Sequence, residues 1–286
     1  LTEPGDSVLV QPPVYGPFYT SIAGNGRDIV KNPLIRGEDG RYSINFEQLE
    51  AQLKTGIKLM ILCSPHNPVS RIWSREELAE TYALCKRYGT ALVADEIHSA
   101  FTYGDEPFTS ALLLDDAKDA KIVVLNSATK AFNIAGLRQS VMLTHNQAMK
   151  TAIMKTVEST GAGGVNIFAL EATEAAYRDG DAWLDALLKY LNTARTLVKR
   201  ELTQRLPEAV LTPIEATYMG WIDLRAYGLT GDELMDATHR EGVALTDGRF
   251  FGKDTGDGFL RINFACPHSQ TRKAMELLER AIKSHA

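Results

Sequence analysis

Three polar residues stand just past three short apolar runs in this chain: Asn67, Asp95 and Lys130. Lys130 follows Ile122-Val123-Val124-Leu125 and a small polar turn, Asn126-Ser127-Ala128-Thr129. Asp95 closes the run 91–94, with Glu96 beside it and His98 three residues beyond. Asn67 lies in Ser64-Pro65-His66-Asn67-Pro68, where proline withdraws backbone donors and ends the run 59–63. Each residue alone has a commonplace role. A lysine in a loop is usually a solvated charge, and an aspartate at a strand end is often a surface carboxylate or a helix cap. An amine, a carboxylate and an amide brought to one place are instead the groups of covalent and acid–base chemistry on a small molecule.

The elements between them decide which holds. Short β-branched runs of this kind are buried strands. Ser74 and Glu77 form a capping box that opens a helix to about residue 88, with Leu78, Tyr82 and Leu84-Cys85 facing the sheet. Strand–helix–strand alternation calls for right-handed crossovers and a parallel sheet. In such a sheet the strand C-termini share one edge and the ligand lies in the crevice outside it. The three residues therefore converge. A further strand over 7–10 ends at Gln11-Pro12-Pro13-Val14-Tyr15 and points Tyr15 at the same edge.

Elsewhere, turns are expected at Gly24-Asn25-Gly26 and at 37–40, a strand over 28–34, and a helix from Asn45 that packs Phe46, Leu49 and Leu53. Residues 147–190 read as helical, interrupted by Gly161-Ala162-Gly163-Gly164, a hinge or site rim with no G-K-[ST] to make a P-loop. A long helix over 182–206 leads into the second half. That half alternates strands (210–211, 218–224, 243–245, 259–264) with helices over 231–241 and from 269 to the end, the last burying Met275, Leu278 and Ile282. Arg261 lies inside one of these apolar strands, which is costly unless it is paired, as in an internal salt bridge. His239 and His268 show no metal-ligand spacing and are expected on the surface.

Composition closes several classes. The chain has 286 residues, 44% hydrophobic and 23% charged, enough for two domains. A net charge of −5 argues against nucleic acid or an anionic membrane as the main partner. No apolar run reaches the roughly 20 residues that span a bilayer. Cys63, Cys85 and Cys266 are odd in number, far apart and without a C-x-x-C pair, which points to reduced thiols and a cytoplasmic setting. Cys85 has nothing beside it that would make it a nucleophile and is expected in the core.

The order Tyr15, Asn67-Pro68, Asp95-Glu96-x-His98, Ser127-x-Thr129-Lys130 and Gly136-x-Arg138 resembles the pyridoxal-phosphate enzymes of fold type I, the class I/II aminotransferase group. VYGPF, CSPHNP, DEIH, KAFNIAGL and LRINFACP further resemble its cystathionine β-lyase-like branch, the MalY/PatB-type C–S lyases. The likeness runs over essentially the whole chain. It implies an α/β fold: a large domain whose mainly parallel sheet is sandwiched by helices, over 1–180, and a smaller C-terminal α/β domain, over 181–286. It also implies a homodimer and a segment before Leu1 that is missing here, with part of the phosphate site.

By the same resemblance Lys130 bonds the cofactor aldehyde and acts as base, Asp95 faces the pyridine nitrogen, and Tyr15 stacks on the ring. Asn67 and His98 reach its 3′ oxygen, while Ser127, Thr129 and Arg138 hold the phosphate. Arg261 grips the substrate carboxylate. The lyase branch typically carries an acidic residue two positions after its histidine, where this chain has Ala100. Cleavage of cystathionine or cysteine S-conjugates to thiol, pyruvate and ammonia is the leading expectation. An aminotransferase uses the same residues, and a catalytically silent regulatory protein on this scaffold is the reading of another class.

Overall fold

The computed structural model describes residues 1–104 and 107–284. In chain order the first half contains β1 (Ser7–Val10), α1 (Pro17–Gly24), β2 (Asp28–Lys31), β3 (Ile35–Arg36), β4 (Tyr42–Ser43) and α2 (Phe46–Leu53). There follow β5 (Leu59–Cys63), α3 (Arg75–Tyr88), β6 (Ala91–Asp95), β7 (Ile122–Asn126), the short α4 (Ala128–Ala131) and β8 (Val141–Leu143). Helices α5 (Gln147–Ser159), α6 (Ile167–Asp179) and α7 (Asp181–Arg205) lead on to β9 (Val210–Leu211), β10 (Met219–Asp223) and α8 (Gly231–Arg240). The last elements are β11 (Thr246–Asp247), β12 (Phe259–Asn263) and α9 (His268–Lys283).

The main sheet has the order β2-β1-β5-β6-β7-β8, parallel except for the antiparallel pair β7–β8. Register carries the site: Cys63 pairs with Asp95, and Asp95 with Leu125, so the three central strands end level with one another. The expected capping box of α3 is present in both directions, and Gly89 closes the helix in the left-handed region. Asn45 caps α2, which buries Leu49 and Leu53. Cys85 is fully buried against Met60.

A second, antiparallel sheet, β11-β12-β10-β9, packs against α7, α8 and α9 around its own core, from Leu191 and Leu202 to Leu278 and Ile282. The larger core lies between the main sheet and its helices, and Trp221, Phe251 and Phe259 of the second half reach into it. The two halves are thereby joined across the crevice.

Three expectations are corrected. The run 28–34 forms a strand only over Asp28–Lys31, because Pro33 has no N–H for a ladder. Residues 243–245 form no strand: Gly242 turns left-handed to end α8, and the Val243 N–H closes that helix on the Thr238 carbonyl at 3.0 Å, so pairing with β12 starts at Thr246. His268 is half-buried rather than on the surface, stacked on Tyr190 with ring centroids 4.2 Å apart.

Candidate active site

The loop after β5 is held from several sides. The Trp73 indole N–H donates to the Cys63 carbonyl at 2.9 Å, His66 bonds the Pro13 carbonyl at 2.9 Å, and the Ser70 hydroxyl donates to the Met219 carbonyl at 2.7 Å. Arg71, fully buried, donates to Glu77 and Glu215 and to the Tyr42 and Ile72 carbonyls. The turn between them presents Asn67 at the strand edge. Its Oδ1 accepts from Arg261 Nη1 at 3.1 Å, which turns the amide's N–H face away from the arginine.

Asn67, Asp95, His98, Lys130, Arg261 and Tyr15 line one cavity of 270 Å³. Asp95 Oδ1 accepts the Ile97 N–H at 3.1 Å. Burial raises this carboxyl above its ordinary range, opposed by that N–H and by the Lys130 charge. His98 packs between the rings of Tyr218 and Phe101, and its Nδ1 is buried without a partner. Burial, then the charges of Lys130 and Arg261, push its pKa down to about 3, so the ring is neutral at working pH. Tyr15 stands at the mouth, 38% exposed, its neighbour Phe18 meeting it edge-on.

Arg261 is not in a salt bridge among the described residues, which removes the internal ion pair as its explanation. Its second partner is the Thr246 hydroxyl at 3.3 Å, its guanidinium covers the Phe251 ring at 4.7 Å, and its Nε is buried and unpaired. A half-desolvated cation whose partners are neutral is able to take up a carboxylate. A larger cavity of 590 Å³, between Arg41, Trp73, Arg75, Tyr103 and Glu215, holds none of these residues, so volume does not select the site.

The sequence profile of the family described as aminotransferase class I and II matches residues 1–278. The chain belongs to this family. It is 39% identical over 285 residues to cystathionine β-lyase PatB of Bacillus subtilis, covering 99% of this chain and 73% of that protein. Its fold superposes on the crystal structure of cystalysin from Treponema denticola, which contains pyridoxal 5'-phosphate, with a TM-score of 0.95 at 30% identity, over 99% of this chain and 72% of the other. The pyridoxal-phosphate-bound C–S lyase of Staphylococcus hominis matches with a TM-score of 0.86 at 31% identity, over 99% and 73%.

In this aminotransferase-family chain, three expected residues do not line the cavity. Ser127 is buried as the cap of α4; its hydroxyl meets Thr129 Oγ1 at 2.7 Å and the Gln139 carbonyl, so the Ser127 and Thr129 hydroxyls bond one another. Arg138 is exposed, with φ of 52° in the left-handed region; its N–H donates to the Ala135 carbonyl, and its guanidinium has no hydrogen bond or ion pair among the described residues. Conversely, Tyr218 and Asn263 line the cavity and were not singled out from sequence. Asn263 had a signal: it lies two residues after Arg261 in one strand, hence on the same face. Tyr218 had none, since it lies one residue outside β10 and is placed by the tertiary fold alone.

Proposed function

We propose that the chain is a pyridoxal-phosphate-dependent C–S β-lyase that converts cysteine S-conjugates to a thiol, pyruvate and ammonia. The observation that supports it most is the convergence of Lys130, Asp95 and an arginine without an acidic partner, Arg261, on one cavity, in a chain 39% identical to a cystathionine β-lyase. The donor set fits the cofactor: a buried carboxylate able to hold a protonated ring nitrogen, an amide aimed away from its own arginine, a flat phenol at the mouth and a single amine. When bound, pyridoxal phosphate supplies an electron sink conjugated to the substrate nitrogen.

The residues divide the remaining work. Arg261 orients the substrate through its α-carboxylate. Lys130 would anchor the cofactor, and its free amine would take the proton from Cα. Asp95 would keep a proton on the ring nitrogen, and Asn67 and neutral His98 would hold the ring oxygen. Tyr15 would cover the ring face. Ser127, Thr129 and Arg138, whose guanidinium has no partner among the described residues, are assigned to the phosphate. The C–S bond breaks with its electron pair on sulfur, which leaves as the thiol after taking a proton, and water completes pyruvate and ammonia.

The assembly proposed is a homodimer in the cytoplasm. Val165, Ile167, Phe168 and Leu170 are exposed apolar side chains on and beside α6 that a second copy would cover, and the three cysteines form no disulfide.

The test is the protein with pyridoxal phosphate and an S-substituted cysteine, without any oxo acid. Equal yields of thiol and pyruvate over many turnovers are expected. Pyridoxamine phosphate with no thiol would make the chain an aminotransferase, and no cofactor absorbance would make it a silent scaffold.

A further inference from the structure

A second cavity, of 220 Å³, adjoins the first and shares Lys130, Tyr218 and Asn263 with it. Beyond that shared edge its walls are Phe101, Leu187, Leu191, Ala265 and Trp183. Phe101 and Leu191 are buried, and the half-exposed Trp183 is held by stacking on Phe132 with centroids 5.8 Å apart. Asn133 is the remaining polar lining residue, and among the described residues no carboxylate lines this space. Arg261 lines the first cavity only.

We propose that this apolar cavity receives the sulfur substituent of the substrate, so that the chain selects uncharged S-alkyl and S-aryl cysteines over cystathionine. The inference deepens the lyase reading above and rests on it. A substrate whose carboxylate is on Arg261 and whose Cα is beside Lys130 has one bulky group left to place, and the space that opens past Lys130 is lined by hydrocarbon. Cystathionine would bring an ammonium and a second carboxylate there. Both would have to leave water, and the ammonium would meet no counter-ion. An alkyl group loses nothing polar, and each methylene buried is worth about fourfold in kcat/KM. The volume suits a short alkyl chain or a single aromatic ring. Leu187 and Trp183, on the first turns of α7, are the selecting side chains, because they wall the cavity without lining the one that holds Lys130 and Arg261.

The test measures kcat/KM by pyruvate release from S-methyl-, S-butyl- and S-benzyl-L-cysteine and from L-cystathionine, using the cofactor-loaded protein. The expected result is a rise along the alkyl series and at least about a tenfold preference for S-butyl over cystathionine. Leu187→Glu is expected to lower S-butyl and S-benzyl turnover by about tenfold or more while S-methyl turnover and cofactor absorbance stay within about twofold. Trp183→Ala, at a half-exposed position, is expected to lower S-benzyl turnover selectively. A flat series with cystathionine preferred, or variants that lower every substrate equally, would overturn the proposal while leaving the lyase intact. Absence of pyruvate from all four would overturn the lyase reading itself, and this inference with it.

Discussion

Arg261 shows most plainly how one residue is set for its task. Its neutral partners Asn67 and Thr246 fix the guanidinium, and burial lowers its pKa against the opposing Tyr218 and Tyr15 phenols, with no carboxylate paired to it among the described residues. Arg261→Lys keeps the charge and loses the planar fork, so kcat/KM is expected to fall about 100-fold, mostly through KM, in steady-state kinetics. An unchanged KM would contradict its role.

A second residue carries a pH signature. Burial lifts the Glu96 carboxyl from 4.5 to about 7, against the Ala111 N–H and Ser110 hydroxyl that favour its charge. Between those values the folded chain holds a proton that the unfolded chain has released, so stability falls as pH rises through that window. Glu96→Gln keeps the Oε1 acceptor and removes the titration. Relative to wild type it is expected to gain about 1–3 kcal/mol at pH 8 and nothing near pH 4, by urea denaturation. Equal effects at both pH values would refute the assignment. At this scale the sequence showed chemical type and strand-end position, which was enough for Asp95 and Lys130. It could not show that Arg261 would lack an acidic partner, because that depends on which side chains the second sheet brings to it.

Among the elements, the segment from β5 into α3 does the positioning. Arg71 ties the Asn67 loop to Glu77 at the head of α3 and to Glu215 before β10. Arg71→Met strips Glu77 of its cation, leaves Glu215 with Arg41 alone, and is expected to cost about 3 kcal/mol of stability by chemical denaturation. Ser74→Ala removes one cap bond and is expected to cost about 1 kcal/mol. Comparable losses in the two variants would mean that Arg71 is no more than another helix-end contact. The elements that read clearly, β5, α3, β6 and β7, combine uninterrupted periodicity with local stop signals. Those that did not, α1, β8 and the pair β3–β4, are short and owe their form to neighbours. Val243 shows the reason in miniature: its apolar, β-branched run fits a strand, but its N–H is taken by the end of α8.

For the whole molecule, the level ends of parallel strands turn residues scattered between Tyr15 and Lys130 into a single wall, and the second sheet supplies the opposing one with Arg261 and Asn263. That convergence follows from strand order and was legible. The second wall was not, because nothing local reveals how two sheets face one another. The chain of 31.5 kDa is expected to run as a dimer on size exclusion, and Phe168→Glu to shift it toward the monomer. A wild-type monomer would contradict the assembly. The most direct test of the central claim is to load the protein with pyridoxal phosphate, reduce it with borohydride and map the modified peptide by mass spectrometry. The cofactor's mass is expected on Lys130 and is expected to be lost in Lys130→Ala. The same mass on another lysine, or on none, would contradict it.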